Sequence, residues 1–290
     1  MVLESLVRPK GAEKRPSSMF FLGFLYASVA MFLSLWIFRD QTSLVMVFLT
    51  VMAALPLVYD TIKYEEKKDL QIKSETKLLK EHSKALAFFM YLFLGAVVSY
   101  SLWYIFLPED IVGSVFNTQI STIKNINSNI FGIDFLITTG SATSASLFGQ
   151  ILSNNLKVLV FSLFFSFFFG AGALFILIWN ASVISAAIGN FFRVNIAEYA
   201  ASLGLIKVGG YFHIFSLSLM RYFIHGLPEI LAYFVGGLAG GIISIAITRH
   251  DIGTKEFRKV LLDSLDLIAI AVGLLIVAAL LEVYVTPIFF

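Results

Sequence analysis

Apolar residues run along this chain in blocks too long for the core of a water-soluble domain. Met19 to Phe38 is 20 residues without a charge, closed by Arg39 and Asp40, and Ser43 to Tyr59 is a second apolar run that contains Pro56. Ala85 to Leu107 is a third, ended by Pro108, Glu109 and Asp110. Each is near the roughly 20 residues that a helix needs to cross about 30 Å of hydrocarbon. Val158 to Phe192 is 35 residues without a formal charge, about 52 Å as one helix, so it is too long for one crossing. Gly170-Ala171-Gly172 divides it, and the pattern predicts a tight hairpin whose first arm begins near Gly149. Pro228 to Thr248 and Leu267 to Val285 supply two further spans. The expected fold is therefore all-α, a polytopic helical bundle of about seven transmembrane spans; a single crossing of 158–192 would leave six.

Charge sets the expected orientation. Asp60 to Lys84 holds seven lysines and six acids, and Arg249, Lys255, Arg258 and Lys259 follow the sixth span closely. Basic loops remain cytoplasmic, which predicts the N-terminus inside and the C-terminus outside. No small-residue cleavage motif follows the first apolar run, so no cleaved signal peptide is expected. The charges of Asp60–Lys84 alternate at helical spacing and read as a solvated extension of the second or third span. Leu205 to Ile224 is apolar but carries Lys207, His213 and Arg221, and reads as a separate interfacial or re-entrant helix. Ile120, Ile123, Ile126 and Ile130 recur every three or four residues, which suits a short helix on the membrane surface or capping the bundle. Residues 1–84 then form an N-terminal hairpin with a charged cytoplasmic helix, and 85–290 a five-span core.

Composition narrows the function classes. The chain is 58% hydrophobic with a mean hydropathy of +0.86, and only 14% of it is charged against about 25% in soluble domains. Its environment is the lipid bilayer, and its place a cell membrane crossed many times. A net charge of +2 argues against nucleic acid as a partner. The chain has no cysteine, which removes disulfides, thiolate nucleophiles and thiol-ligated metals. No His-Glu-x-x-His, Gly-x-Ser-x-Gly or Walker A sequence occurs, so an enzyme is not expected and an intramembrane hydrolase lacks its nucleophile.

Polar residues inside spans are costly in lipid and are the natural candidates for a site. His225 and Glu229 stand at i and i+4, on one helix face at the start of a span, where they could lock two helices, relay a proton or share a divalent cation. Asn154, Asn155 and Asn180 would lie at depths where an amide needs a partner, either as helix glue or as part of one site with Glu229. Gly170, Gly172, Gly236, Gly237, Gly240 and Gly241 allow close helix packing. No cofactor is required by these residues.

The ordered set of Asn154-Asn155, the Gly170-Ala171-Gly172 bend, Asn180, and His225-Gly226-Leu227-Pro228-Glu229 opening a glycine-rich span resembles the stage II sporulation protein M family. The resemblance covers about Ala85 to the C-terminus; the hairpin Met19–Tyr59 is extra, and Ala181 stands where the family usually has Gly. It implies a five-span core and a non-enzymatic scaffold that recruits other membrane or envelope proteins, which together with the packing glycines suggests a homodimer. The competing expectation is an ion or small-solute transporter built on the Asn/His/Glu cluster.

Overall fold

The computed structural model describes residues 16–72, 74–125, 144–166, 171–196, 205–249 and 252–289. Its helices are α1 (Ser18–Ile37), α2 (Thr42–Gln71), α3 (Glu75–Phe106), α4 (Glu109–Val115), α5 (residues 117–125), α6 (Ser144–Ser166), α7 (Ala171–Ile196), α8 (Leu205–Arg249) and α9 (Lys255–Leu280). A π-helical turn, Leu281–Val285, and a short α10, Thr286–Phe289, prolong α9. Among the described residues no strand occurs, and seven helices are long and apolar enough to cross a membrane. The protein is a multi-pass membrane protein.

Side-chain pairs fix the direction of each span. Ser28 with Ser99 and Phe32 with Trp103 set α1 parallel to α3. Thr50 with Tyr100 and Glu65 with His82 set α2 antiparallel to α3, while Ser185 and Arg193 bond the Val97 and Leu107 carbonyls and set α7 parallel to it. A Cβ on Gly236 would meet Leu159 and one on Gly240 would meet Leu163, a constant offset that sets α6 parallel to α8. Gly241 against Ile62 and Arg249 against Glu66 align α8 with α2. His225 reaches Thr286, which turns α9 back along α8. All seven crossings alternate. The uncharged stretch 158–192 is thus shared between two of the seven spans, α6 and α7, the first of the two alternatives.

Helices approach most closely where side chains vanish. A Cβ at Gly95 would lie 2.8 Å from the Phe24 amide nitrogen, and one at Gly23 would lie 2.9 Å from the Leu92 carbonyl carbon. The α1 and α3 backbones touch there, as small residues permit between membrane helices. α8 is the most buried span and α6 the least. α8 buries Tyr233, Leu238 and Ile242, and its Phe234 ring packs against Phe89 and Phe93 of α3.

Three expectations are modified or narrowed. Leu205–Ile224 is not a separate helix: α8 runs unbroken through Pro228 for 45 residues, about 67 Å. Proline removes a single backbone donor, and a membrane helix tolerates that where neighbours surround it. Of the two alternatives for the isoleucine-spaced segment, residues 109–125 take the capping one. They fold in over the bundle, with Phe116 and Val115 fully buried and Gln119 donating to the Ser43 carbonyl at 3.0 Å and to Ser182 Oγ at 3.1 Å. Ile120 and Ile123 join the core from this cap, while Ile126 and Ile130 lie outside the described residues. The third change concerns the charged hairpin.

Candidate functional site: a buried ionic clamp and a mid-span polar turn

The buried stripe of α2 does not stop where its charges begin. Ala54, Leu57, Val58, Thr61 and Ile62 are followed at helical spacing by Glu65, Glu66, Lys68 and Asp69, all buried. α3 runs back alongside and contributes His82, 2% exposed. The inner face of residues 60–84 is therefore not solvated, contrary to the reading of its alternating charges. Water reaches only its outer face.

Lys68 Nζ donates to Glu65 Oε1 at 2.6 Å, and His82 Nδ1 bonds Glu65 Oε2 at 2.7 Å. His82 Nε2 lies 2.9 Å from Asp69 Oδ1. Arg249 at the end of α8 donates to Glu66 at 2.5 Å, and Lys259 of α9 donates to the Ile72 carbonyl at 2.7 Å and to that of Asp69. The last carbonyls of a helix lack partners of their own, so Lys259 caps α2 while tying α9 to it. Four spans are clamped at one end.

The apolar part of α2 ends at Tyr59 and that of α3 begins at Ala85, so this clamp stands beyond the hydrocarbon. Burial alone would depress the proton affinity of His82; the carboxylates of Asp69 and Glu65 overcome that and hold it up at about 9. Burial pushes the Asp69 carboxyl up, with His82 opposing. Glu81 on the outer face is held below the usual carboxylate range by Lys84, 2.5 Å away.

The residues singled out in the spans divide between inside and outside. Asn155 is 5% exposed, with no partner for its Nδ2. It begins the buried stripe Asn155, Leu159, Ser162 and Ser166 of α6. On α8, Gly236 and Gly240 meet Leu159 and Leu163 of α6, and Tyr233, one turn before Gly236, is buried. Tyr233 donates to Glu229 Oε1 at 2.7 Å. Glu282 lies in the π-helical turn, and His225 Nδ1 meets Thr286 Oγ1 at 3.2 Å just beyond it.

Asn154 and Asn180 are elsewhere. Asn154 faces out of the bundle, and Asn180 donates to the Ile176 carbonyl of its own helix at 2.9 Å. His225 and Glu229 take separate partners, and among the described residues no three His, Asp or Glu side chains converge as metal ligands. Gly236, Gly240 and Gly241 sit in tight contacts with α6 and α2, and Gly237 lies 3.3 Å from the Ala173 methyl as a Cβ would meet it. Gly172 opens α7, and Gly170 lies outside the described residues. Sequence reasoning passed over Glu65, Asp69 and His82 because each looks solvated alone. The continuing 3.6-residue stripe was the signal.

The arrangement can hold helices together at two depths, by the ionic clamp at one end and by the close α6–α8 contacts within the spans. Comparison with known proteins bears on the family. The sequence profile of stage II sporulation protein M matches residues 84–287. The uncharacterized protein MJ0793 of Methanocaldococcus jannaschii is 31% identical over 143 residues, covering 48% of this chain and 71% of that protein. No solved structure matches. The family match takes in α3 and α6 through α9, and so the chain belongs to the stage II sporulation protein M family.

Proposed function

We propose that the protein is a non-enzymatic membrane scaffold or assembly factor, and that α6 is the face on which it assembles, first with a second copy of itself. One observation carries this reading: the outward face of α6 is polar at span depth. Gln150, Ser153, Asn154 and Lys157 are exposed there, followed by Val160, Phe161, Phe164 and Phe165. The register with α8 sets Lys157 level with Phe234, well inside the span Ile224–Arg249. A lysine at the centre of a lipid-facing helix costs about 2.5 to 3.5 kcal/mol before it snorkels, and side-chain hydrogen bonds to another helix relieve that cost. Two α6 helices about a twofold axis along the membrane normal would place Asn154 of each copy against the other, with Lys157 one turn away.

The clamped end is the cytoplasmic one in this reading, since the hairpin lysines, Arg249, Lys255, Arg258 and Lys259 gather there. Residues 1–84 serve as an added hairpin on the 85–290 core. The test is the mass of the purified protein in detergent by light scattering. Wild type is expected as a dimer and Asn154→Leu/Lys157→Leu as a folded monomer; a monomeric wild type overturns the reading.

The transporter reading is favoured by two polar features within spans, the buried Asn155 with no partner for its Nδ2 and the Tyr233–Glu229 hydrogen bond. Cation and proton flux in proteoliposomes distinguishes it. Flux abolished by Glu229→Gln would replace the scaffold reading.

A further inference from the structure

The opposite end of the bundle from the clamp holds a cleft of about 930 Å³ between the end of α1, the Arg39–Gln41 turn and α4. That is at the upper end of the size of small-molecule sites, which run to about 1,000 Å³. Its wall is apolar and aromatic on the bilayer side, formed by Phe32, Trp36 and Ile111, and its mouth is charged, with Arg39, Asp40 and Asp110. The wall is braced: the Phe32 ring meets Trp103 edge-on at 4.6 Å, and Trp103 donates to Ser28 at 2.9 Å. The mouth is braced as well, because the Arg39 carbonyl accepts from Thr42 at 2.9 Å and from Ser114 at 3.3 Å.

Where this cleft lies decides its class of ligand. α1 and α3 leave the hydrocarbon here, at Phe38 and Leu107, so the charged mouth stands at headgroup height with the aromatic wall below it. Trp36 is 81% exposed, the position in which an indole sits at a membrane interface. Among the described residues no ion pair engages Arg39, Asp40 or Asp110. A guanidinium matches phosphate geometry, while two carboxylates match an ammonium and repel a second anion. The three charges sum to one negative.

We propose that this cleft is a binding site for a zwitterionic phospholipid with a primary-amine headgroup. Its phosphate lies on Arg39, its ammonium between Asp40 and Asp110 beside the Trp36 ring, and its acyl chain runs down past Phe32. An anionic glycerol headgroup brings neutral hydroxyl donors but no positive charge to the two aspartates, and its net negative charge opposes theirs. A choline headgroup has no N–H to donate.

The test uses Trp36 as its own reporter. A Trp103→Phe/Trp179→Phe chain is reconstituted in bilayers that contain brominated phosphatidylethanolamine, phosphatidylglycerol or phosphatidylcholine. Two exposed charge contacts predict an association with the amine lipid about threefold stronger than with either other. Asp40→Asn/Asp110→Asn should bring the ratio to one. Since Trp103 braces the wall, native mass spectrometry of the unaltered protein from mixed ethanolamine and glycerol bilayers is the second measurement, with the amine lipid expected as the retained species. Equal quenching by choline lipid, preference for the glycerol lipid, or a ratio unmoved by the aspartate changes overturns the proposal.

Discussion

Gly95→Ala adds one methyl group at the point where α1 and α3 touch. The new carbon would fall 2.8 Å from the Phe24 amide nitrogen, 2.9 Å from the Phe20 carbonyl carbon, and closer still to that carbonyl oxygen. These are backbone atoms of a helix, which no rotamer change can move aside. α1 must retreat as a body, by on the order of 1 Å, and a gap of that size forfeits a quarter to a half of the dispersion energy along the contact. Overpacking of this kind costs about 1 to 3 kcal/mol. The retreat also stretches the Ser28–Ser99 bond of 2.8 Å and the Trp103–Ser28 bond of 2.9 Å, each worth about 0.6 kcal/mol in a membrane. The expected loss is about 2 to 4 kcal/mol, a large part of the 5 to 15 kcal/mol that holds most domains folded. Unfolding in mixed micelles, followed by tryptophan fluorescence, measures it. Gly273→Ala is the control, because nothing lies within 4 Å of its added Cβ, and Ala is the better helix former by about 1 kcal/mol. A Gly95→Ala protein within about 0.5 kcal/mol of wild type would refute the backbone contact.

Three further outcomes are expected. His82 holds its proton up to about 9 in the folded protein against about 6.5 unfolded, so its contribution is complete below pH 6.5 and lost as pH rises through 9. Unfolding at stepped pH should show that fall in wild type and not in His82→Gln. Glu229→Gln and Asn155→Leu should each destabilise the solubilised protein and be non-additive by at least about 0.5 kcal/mol, and strict additivity in that cycle would separate the two residues. A cysteine at Arg258 should react with membrane-impermeant maleimide only after the cells are opened; labelling of intact cells would reverse the orientation.

Spans were legible because their signal is length without charge, which needs no tertiary knowledge. Even the double crossing of 158–192 follows from the rise of a helix. Helix α8 was misread at Leu205–Ile224 because Lys207, His213, Arg221 and Pro228 each weigh against a continuous helix, and only packing settles such a contest. The ionic clamp was hidden for a related reason. Glu65, Asp69 and His82 are ordinary surface residues until α3 folds back along α2, and the pairing of residues 17 apart is a property of the hairpin. Asn180 shows the opposite error: its amide satisfies itself on the Ile176 carbonyl, an option open to any helix and invisible in the span's hydropathy. Asn154 and Asn155, adjacent in sequence, lie about 100° apart around α6, which is enough to leave the first exposed and bury the second.

The scaffold reading rests on the outward face of α6, and a single cysteine tests it in the membrane itself. The chain has no native cysteine to remove. With Asn154→Cys, mild oxidation of native membranes should give a disulfide-linked band at twice the 32.2 kDa monomer, while Gly273→Cys, exposed on α9, stays monomeric. Monomer alone at position 154, or equal cross-linking at both positions, would contradict α6 as the face on which two copies meet.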